Sequence, residues 1–376
     1  MPLRLVLLVL DGFSLRHCTP EIAPNLIGIS KHGVCAPNGG RSVLPSSTYP
    51  NHASLATGTE PIQHGIYANN TFTDAGVRPA RDVGARGITF LDAARAVGLR
   101  TAVAVGDANI LGVVGASRCD AHWPPGAVLP VGTPTVRGYA ANAAPFRALL
   151  DMLDDDADVV LCQLDNTDGV SHQFGPDSPE AKVAYTEADG LVGQLIDRLR
   201  GGSRWQDTVL AVISDHGQIT ADLTAPPIDI PGALARAGIE AEVIEEGSSA
   251  LIRAQETDSA RRVISTVDGV AGVLPFASDV LYVHAQPGRG FATLKPMTRG
   301  IHGCPATTET LCMATGGHPG LAALGKAFAA DTPTSATLPR LLADAVGLTW
   351  RPNPHLDPTG AGLCRQAGPR RGQSLA

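Results

Sequence analysis

The sequence predicts an α/β protein built on a mostly parallel central sheet, with a smaller subdomain inserted late in the chain. Three observations carry that reading. Short, wholly apolar runs recur and each ends in a polar residue; helical periodicity fills the intervals between them; and from about residue 220 the pattern changes to shorter units.

Leu3–Leu10 is the first such run, and it ends at Asp11-Gly12. Thr101–Val105 is followed by Gly106-Asp107, Val159–Leu164 by Asp165 and Asp168, and Val209–Ile213 by Ser214-Asp215-His216. A strand covered on both faces is apolar throughout instead of alternating, which is the pattern of these runs. Helical spacing is predicted over Thr89–Val97, Ala144–Leu153 and from Pro179 to about Leu199. Strand and helix in alternation make neighbouring strands parallel. Ligands of open α/β sheets bind beyond the carboxyl ends of the strands, so acidic residues far apart in sequence are expected in one polar site.

The remaining elements set the domain boundaries. Residues 1–219 and 300–350 are read as the core and 220–299 as an inserted cap. The cap holds strand candidates Glu240–Ile244, Ala250–Ile252 and Val280–His284 and a helix near Ser259–Val267. A strand at Thr310–Ala314 and a helix around Ala336–Ala345 resume the core, and the Pro-, Gly- and Arg-rich segment 351–376 reads as a loose tail.

Composition limits the function classes. The chain has 376 residues and a net charge of −7, which excludes a general nucleic-acid surface because backbone phosphates need clustered Lys and Arg. Any anionic substrate must be attracted locally. The 7 cysteines contain no C-x-x-C pair and read as reduced thiols. Leu5–Leu10 is too short to span a bilayer and no small-residue cleavage site follows it, so a cytoplasmic protein without membrane attachment is expected. Oligomeric state is not readable.

Four clusters carry chemistry. In Pro45-Ser46-Ser47-Thr48-Tyr49-Pro50-Asn51-His52, Pro50 suits the first turn of a helix. Thr48 would then lie at or next to its N-cap, where free N–H groups and the helix dipole favour an alkoxide or a phosphoryl group; the alternative is a plain Thr cap. Asp168-Gly169-Val170-Ser171-His172 places Asp and His four apart on a loop, facing one cation or simply forming a surface turn. Ser214-Asp215-His216-Gly217 offers oxygen and nitrogen ligands straight after a buried strand, a set that suits zinc or manganese. His302, in Arg299-Gly300-Ile301-His302-Gly303, proves nothing alone. Together with Asp11, these residues make two sets of N/O ligands in an order compatible with one sheet.

On these motifs the sequence resembles the nucleotide pyrophosphatase/phosphodiesterase branch of the alkaline phosphatase superfamily, over roughly residues 5–320. The resemblance rests on Asp11-Gly12, Thr48-Tyr49-Pro50-Asn51-His52 with Thr57-Gly58, His64-Gly65-Ile66 leading to Asn69, Asp168-x-x-x-His172-x-x-Gly175-Pro176, Ser214-Asp215-His216-Gly217 and His302-Gly303. It implies an alkaline-phosphatase-like three-layer sandwich and two metal ions, zinc or, as the alternative, manganese. One ion would be held by Asp11, Asp215 and His216 with Thr48 as exchangeable ligand, the other by Asp168, His172 and His302. Asn69 would hydrogen-bond a non-bridging phosphoryl oxygen. Tyr49 resembles the aromatic that stacks on a leaving group or base, and a tyrosine filling core space is the other reading.

The implied reaction is hydrolysis of a small phosphorylated substrate, a nucleotide among the candidates, through a covalent phospho-Thr48 that hydroxide then displaces. Two ions about 4 Å apart would activate the hydroxyl and neutralise the leaving oxygen, and two inversions give net retention at phosphorus. A phosphonoacetate-type C–P hydrolase or a phosphomonoesterase with the same metal site is the alternative, and a catalytically inert phosphate-ligand binding protein is the alternative of another class. Two departures bear on substrate. The residue before the nucleophile is often Lys in the relatives, whereas Ser46-Ser47 stand here, and Leu164-Asp165-Asn166-Thr167 lacks the usual Glu-Pro. His318 competes with His302 for the last ligand position, and Cys304 lies two residues from His302.

Overall fold

A seven-stranded sheet organises the protein, in the order Val34–Cys35, Cys312–Gly316, Thr208–Ile213, Arg4–Leu10, Val159–Leu164, Thr101–Val105, Ala121–Trp123. This computed structural model describes residues 3–294, 297–353 and 355. The five strands from Thr208–Ile213 to Ala121–Trp123 are parallel, and Cys312–Gly316 runs antiparallel to both of its neighbours. The sheet is therefore mostly parallel, as its apolar runs predict.

The strand Arg4–Leu10 shows why those runs are apolar throughout. Leu5, Leu7 and Val9 point into one core, with Leu55, Phe90, Ile110 and Leu342 from helices Thr48–Thr57, Phe90–Ala96, Asn109–Val113 and Leu338–Ala345. Val6, Leu8 and Leu10 point into the other, with Leu26, Leu149, Tyr185 and Val192 from helices Pro24–His32, Ala143–Asp154 and Pro179–Arg200. Helices thus cover both faces, giving three layers. Each fully buried Leu or Val contributes roughly 1.5–3 kcal/mol of transfer free energy, so both faces of the strand stabilise the fold.

A second, antiparallel sheet is ordered Glu242–Glu246, Ser249–Arg253, Val280–Ala285, Val270–Pro275. Helices Ile230–Arg236 and Thr257–Ile264 cover one face through Leu234, Ala260 and Ile264. The other face, through Ile244, Leu251 and Tyr282, packs on Tyr67 and Ala68 of the main body.

Three features depart from the sequence reading. Asp168 and His172 lie on a helix, Asn166–Phe174, not on a loop. The edge strands Val34–Cys35 and Ala121–Trp123 are too short to show a period, and Val270–Pro275 is interrupted by a bulge between Val270 and Gly272. The expected tail 351–376 lies outside the described residues apart from 351–353 and 355, and Cys364 falls with it. Cysteines 18, 35, 119, 162, 304 and 312 are free thiols. No helix among the described residues is long and apolar enough to cross a membrane.

One polar residue interrupts the apolar strand Val159–Leu164. Gln163 is fully buried and uses its whole amide: Oε1 accepts from Gly106 N at 2.8 Å and Asp107 N at 3.1 Å, and Nε2 donates to Asp11 Oδ2 at 2.7 Å and Asp165 Oδ1 at 3.1 Å. It ties the ends of three adjacent strands together. Gln163→Leu would strand two buried carboxylates and an amide, so we expect it to lower unfolding free energy by roughly 3 kcal/mol or more. The urea midpoint should fall while the slope is kept, and an unshifted midpoint would refute this role.

Candidate metal centre

The carboxyl ends of the parallel strands deliver the site. Asp11 ends the strand Arg4–Leu10 and is fully buried. Gly12 follows at φ +65°, where a Cβ would stand 3.0 Å from Asp168, so only glycine lets the two acidic segments approach this closely. Gly12 N donates to Asp215 Oδ1 at 3.1 Å, linking the first strand end to Asp215 after Thr208–Ile213. Residues scattered from 11 to 302 meet here.

Thr48 is the first residue of helix Thr48–Thr57, with Ser47 at the N-cap and no side-chain capping bond. The plain-cap alternative is therefore not realised: Thr48 Oγ1 faces His216 Nε2 at 3.1 Å instead. One turn on, His52 Nδ1 donates to Thr48 O at 2.9 Å and lies 3.4 Å from Asp215 Oδ2.

The histidine hydrogen bonds determine which nitrogen carries the proton. A carbonyl oxygen can only accept, so His172 Nδ1 donates to Gly300 O at 2.7 Å, His302 Nδ1 to Ser46 O at 3.2 Å and His216 Nδ1 to Gly217 O at 3.1 Å. Each Nε2 is left as a bare lone pair. His172 Nε2 and His302 Nε2 nevertheless face each other at 3.2 Å, with Asp168 Oδ2 at 3.3 Å from the first and Oδ1 at 3.8 Å from the second. Lone pairs so placed repel unless a cation lies between them. Tetrahedral zinc with bonds of about 2.0–2.1 Å sets ligand nitrogens about 3.3 Å apart, so the spacing fits a bound dication.

A second ligand set adjoins the first. His216 Nε2 lies 3.4 Å from Asp11 Oδ1 and 3.5 Å from Asp215 Oδ2, and both carboxylate oxygens are buried without a hydrogen-bond partner. Asp168, His172 and His302 form one group able to hold an ion; Asp11, Asp168 and His216 form another; Asp11, His52 and Asp215 form a third. Asp168 belongs to two of them, so the centres are contiguous. The His216 and His302 rings stack at 3.9 Å across the boundary.

Negative charge and burial crowd this donor set. Burial first, and then Asp215 and Asp168, raise the Asp11 carboxyl well above its ordinary value. Burial also holds His52, His172 and His302 below theirs, keeping them neutral and competent as ligands. A dication would relieve the carboxylate repulsion, so the donor set fits such an ion on charge as well as on geometry.

The centre opens into a cleft of about 250 Å3 lined by Thr48, Tyr49, Asn69, Asp107, Arg137 and Glu246 among others. Asn69 N donates to Glu246 Oε2 at 2.8 Å, which ties the Asn69 loop to the second sheet. Tyr49 is buried and its hydroxyl donates to Asp107 Oδ2 at 2.7 Å, so its polar end is committed to the protein. His318 is remote: it follows the strand end Gly316, which pairs with Val209 at the opposite end of the sheet, and its Nδ1 accepts from Gly320 N at 3.0 Å. The second sheet also holds His302. The turn at Gly247 passes so near that a Cβ there would stand 2.5 Å from His302 O, while Ser248 N and Oγ both donate to that carbonyl.

Sequence reading missed Gln163, His52, Glu246, Arg137 and Gln218, whose Nε2 donates to Asp168 Oδ1. Gln163 had a usable signal, a lone amide inside an apolar strand. The others act through tertiary contacts that no spacing reveals.

Fold and site define an α/β protein whose sheet gathers two contiguous carboxylate–imidazole ligand sets before a helix-terminal threonine. The chain belongs to the type I phosphodiesterase / nucleotide pyrophosphatase family, whose model matches residues 5–275. It is 28% identical over 227 residues to an uncharacterized pyrophosphatase/phosphodiesterase of Schizosaccharomyces pombe, covering 56% of this chain and 44% of that protein. It is 25% identical over 228 residues to human bis(5'-adenosyl)-triphosphatase ENPP4, covering 58% and 48%. The matched segment thus spans less than half the length of these relatives. In fold it is similar to human ectonucleotide pyrophosphatase/phosphodiesterase 5, with a TM-score of 0.72, 19% identity and coverage of 93% and 96%. Phosphonoacetate hydrolase of Sinorhizobium meliloti is similar at a TM-score of 0.71, with 19% identity and coverage of 92% and 96%.

His64 supplies a pH test independent of the ligands. Its Nδ1 accepts from Ile66 N at 3.1 Å, so Nε2 carries the proton toward Ser54 Oγ at 3.0 Å. This neutral ring ties the Thr48 helix to the loop leading to Asn69. Burial, with Arg86 adding to it, pushes its pKa down to about 3. The resulting stability is fully present above the unfolded value near 6.5 and is lost as pH falls toward about 3, on the order of 5 kcal/mol at most. We expect the melting temperature of metal-free protein to fall more steeply between pH 6.5 and 4 than that of His64→Gln. Parallel profiles would exclude the mechanism.

Proposed function

We propose that the protein hydrolyses a phosphoric ester of phosphodiester or nucleotide-pyrophosphate type, with Thr48 as nucleophile and phospho-Thr48 as intermediate. One observation carries this reading: the Thr48 hydroxyl stands at the junction of the ligand sets, 3.1 Å from the bare His216 Nε2. Family membership supports it. Residues 220–299 are proposed as a cap that backs His302 and reaches the cleft through Glu246.

Asp11, Asp215 and His216 would hold one dication and Asp168, His172 and His302 the other, zinc by ligand type with manganese as the alternative. When bound, such ions supply Lewis-acid stabilisation of phosphoryl charge and lower the pKa of a coordinated hydroxyl. The chain's own residues do the rest. The start of the ten-residue helix Thr48–Thr57 directs free N–H groups and the positive end of its dipole toward the phosphoryl group. Thr48 Oγ attacks phosphorus in line, forming the P–O bond to threonine as the bond to the leaving alcohol or phosphate breaks; water then cleaves the phospho-threonine, and the configuration is retained. Asn69, whose side-chain amide has no partner among the described residues, would donate to a non-bridging oxygen. His52 fixes Thr48 from behind through its carbonyl and, at 3.4 Å, orients Asp215.

Hydrolysis of bis-p-nitrophenyl phosphate, p-nitrophenyl thymidine monophosphate, p-nitrophenyl phosphate and phosphonoacetate by metal-analysed protein tests the reading. We expect about two dications per chain and fastest turnover of the diesters. Thr48→Ala should reduce kcat by at least about a thousandfold while Asp168→Asn lowers metal content. Fastest turnover of phosphonoacetate would install the C–P hydrolase instead. Turnover retained by Thr48→Ala would remove the nucleophile, and loaded protein inert to all four would mark a binding protein.

A further inference from the structure

The cleft contains one cationic side chain among its described lining residues, Arg137, and nothing in the reaction outlined above uses it. Arg137 sits at the tip of a two-residue hairpin between Thr135–Val136 and Tyr139–Ala140, paired Val136 to Tyr139. Arg137 and Gly138 have φ of +52° and +95°, the mirror-image turn that favours Asn-Gly and disfavours arginine at its first position. An unfavourable residue kept at such a tip points to a use for its side chain.

The hairpin is aimed. Val136 packs on helix Asn166–Phe174 at Gly169, where a Cβ would stand 3.0 Å from Val136 Cγ1. The missing side chain at Gly169 therefore lets the hairpin settle one residue from Asp168 and less than a turn from His172.

Arg137 is exposed, and no hydrogen bond or ion pair engages it among the described residues. This is notable in a cleft that also contains Asp107, Asp165 and Glu246. Asp107 is engaged by Tyr49 and Asn109 and Glu246 by the backbone N–H of Asn69, while Asp165 gives Oδ1 to Gln163 and keeps Oδ2 buried without a partner, yet none of them pairs with Arg137. A guanidinium with five donors and no protein acceptor, beside a phosphoryl-transfer centre, is suited to bidentate capture of an anion.

We infer that Arg137 is a specificity-determining residue that binds an anionic group flanking the scissile phosphorus. The inference rests on the phosphoryl-transfer reading of the site. A second phosphate, as in a nucleoside polyphosphate, and a carboxylate, as in phosphonoacetate, offer the same recognition chemistry.

Arg137→Asn is the informative variant, because Asn suits the left-handed tip and keeps the hairpin while removing the charge. Steady-state kinetics would compare ATP and phosphonoacetate, which carry a flanking anion, with bis-p-nitrophenyl phosphate, which does not. We expect the loss of kcat/KM on whichever flanked substrate the wild type uses to exceed the loss on bis-p-nitrophenyl phosphate at least tenfold. It should appear mainly in KM and be partly rescued by Arg137→Lys. An effect on ATP identifies the second phosphate as the source, and an effect on phosphonoacetate identifies the carboxylate. Equal losses on all substrates, or none, would overturn the inference. Should the wild type turn over none of them, the hydrolase reading fails by itself, and calorimetry of inorganic pyrophosphate against orthophosphate decides Arg137. Preferential pyrophosphate binding that Arg137→Asn abolishes supports it; no preference, or one that survives substitution, refutes it.

Discussion

The structure depends on one electrostatic requirement: buried carboxylates and bare imidazole nitrogens converge where, among the described residues, no side chain balances them. Asp11 and Asp215 each carry an oxygen buried without a partner, and His172 and His302 point unprotonated nitrogens at each other. Burying even one unpaired carboxylate is costly, so a fold that buries several together needs compensating charge from outside the polypeptide. Much of the surrounding architecture holds these groups together until that charge arrives. Gln163 restrains Asp11 and Asp165, Gln218 restrains Asp168, Gly12 restrains Asp215, and His52 lies beside Asp215. Each is a neutral or weakly polar restraint, and none neutralises the charge it positions.

The parallel sheet makes the convergence possible, and the second sheet completes it. Parallel strands present all their carboxyl ends on one edge, which lets Asp11, Asp168 and Asp215 meet although they lie far apart in sequence. His302 arrives from the end of the chain on a segment with little structure of its own. Its position is fixed by Ser248 and the Gly247 turn, while its ring donates to Ser46 just before the Thr48 helix. The later residues therefore connect both the last ligand candidate and, through Glu246, the Asn69 loop to the core.

How much of this was legible in sequence depends on whether a residue's role is local. The strands Thr101–Val105 and Val159–Leu164 were readable to the residue, because strands covered on both faces are unbroken apolar runs. The ligand candidates were readable because they follow those runs. The Asp168–His172 segment reads as a loop because Asp and Gly are turn residues, yet it forms a helix whose four-residue spacing puts both ligand candidates on one face. Gly169 looked like a turn residue, but its missing Cβ serves Val136, a contact that no pattern in the segment announces. His52 and Arg137 escape for the same reason, each being defined by what lies across the fold, whereas Gln163 stands out in sequence as a lone amide inside an apolar strand.

The position of the cleft's cation shows how chemistry and recognition can be separated. Directly before Thr48 stands Ser47, buried and with its Oγ unpartnered among the described residues, so no cation shares the start of that helix. Ser46, one residue earlier, is built into the scaffold, its Oγ donating to Thr307 O and its carbonyl receiving His302 Nδ1, so a charged side chain there would disturb that ligand candidate. Arg137 sits on a separate hairpin that meets the centre through Val136 on Gly169 and through Ala140 N, which donates to Gly106 O. The tip of a hairpin anchored at those two places can change charge without moving Thr48 or any proposed ligand. Selectivity at this site can therefore vary independently of the ligand framework, provided that Gly169 keeps the surface on which the hairpin rests.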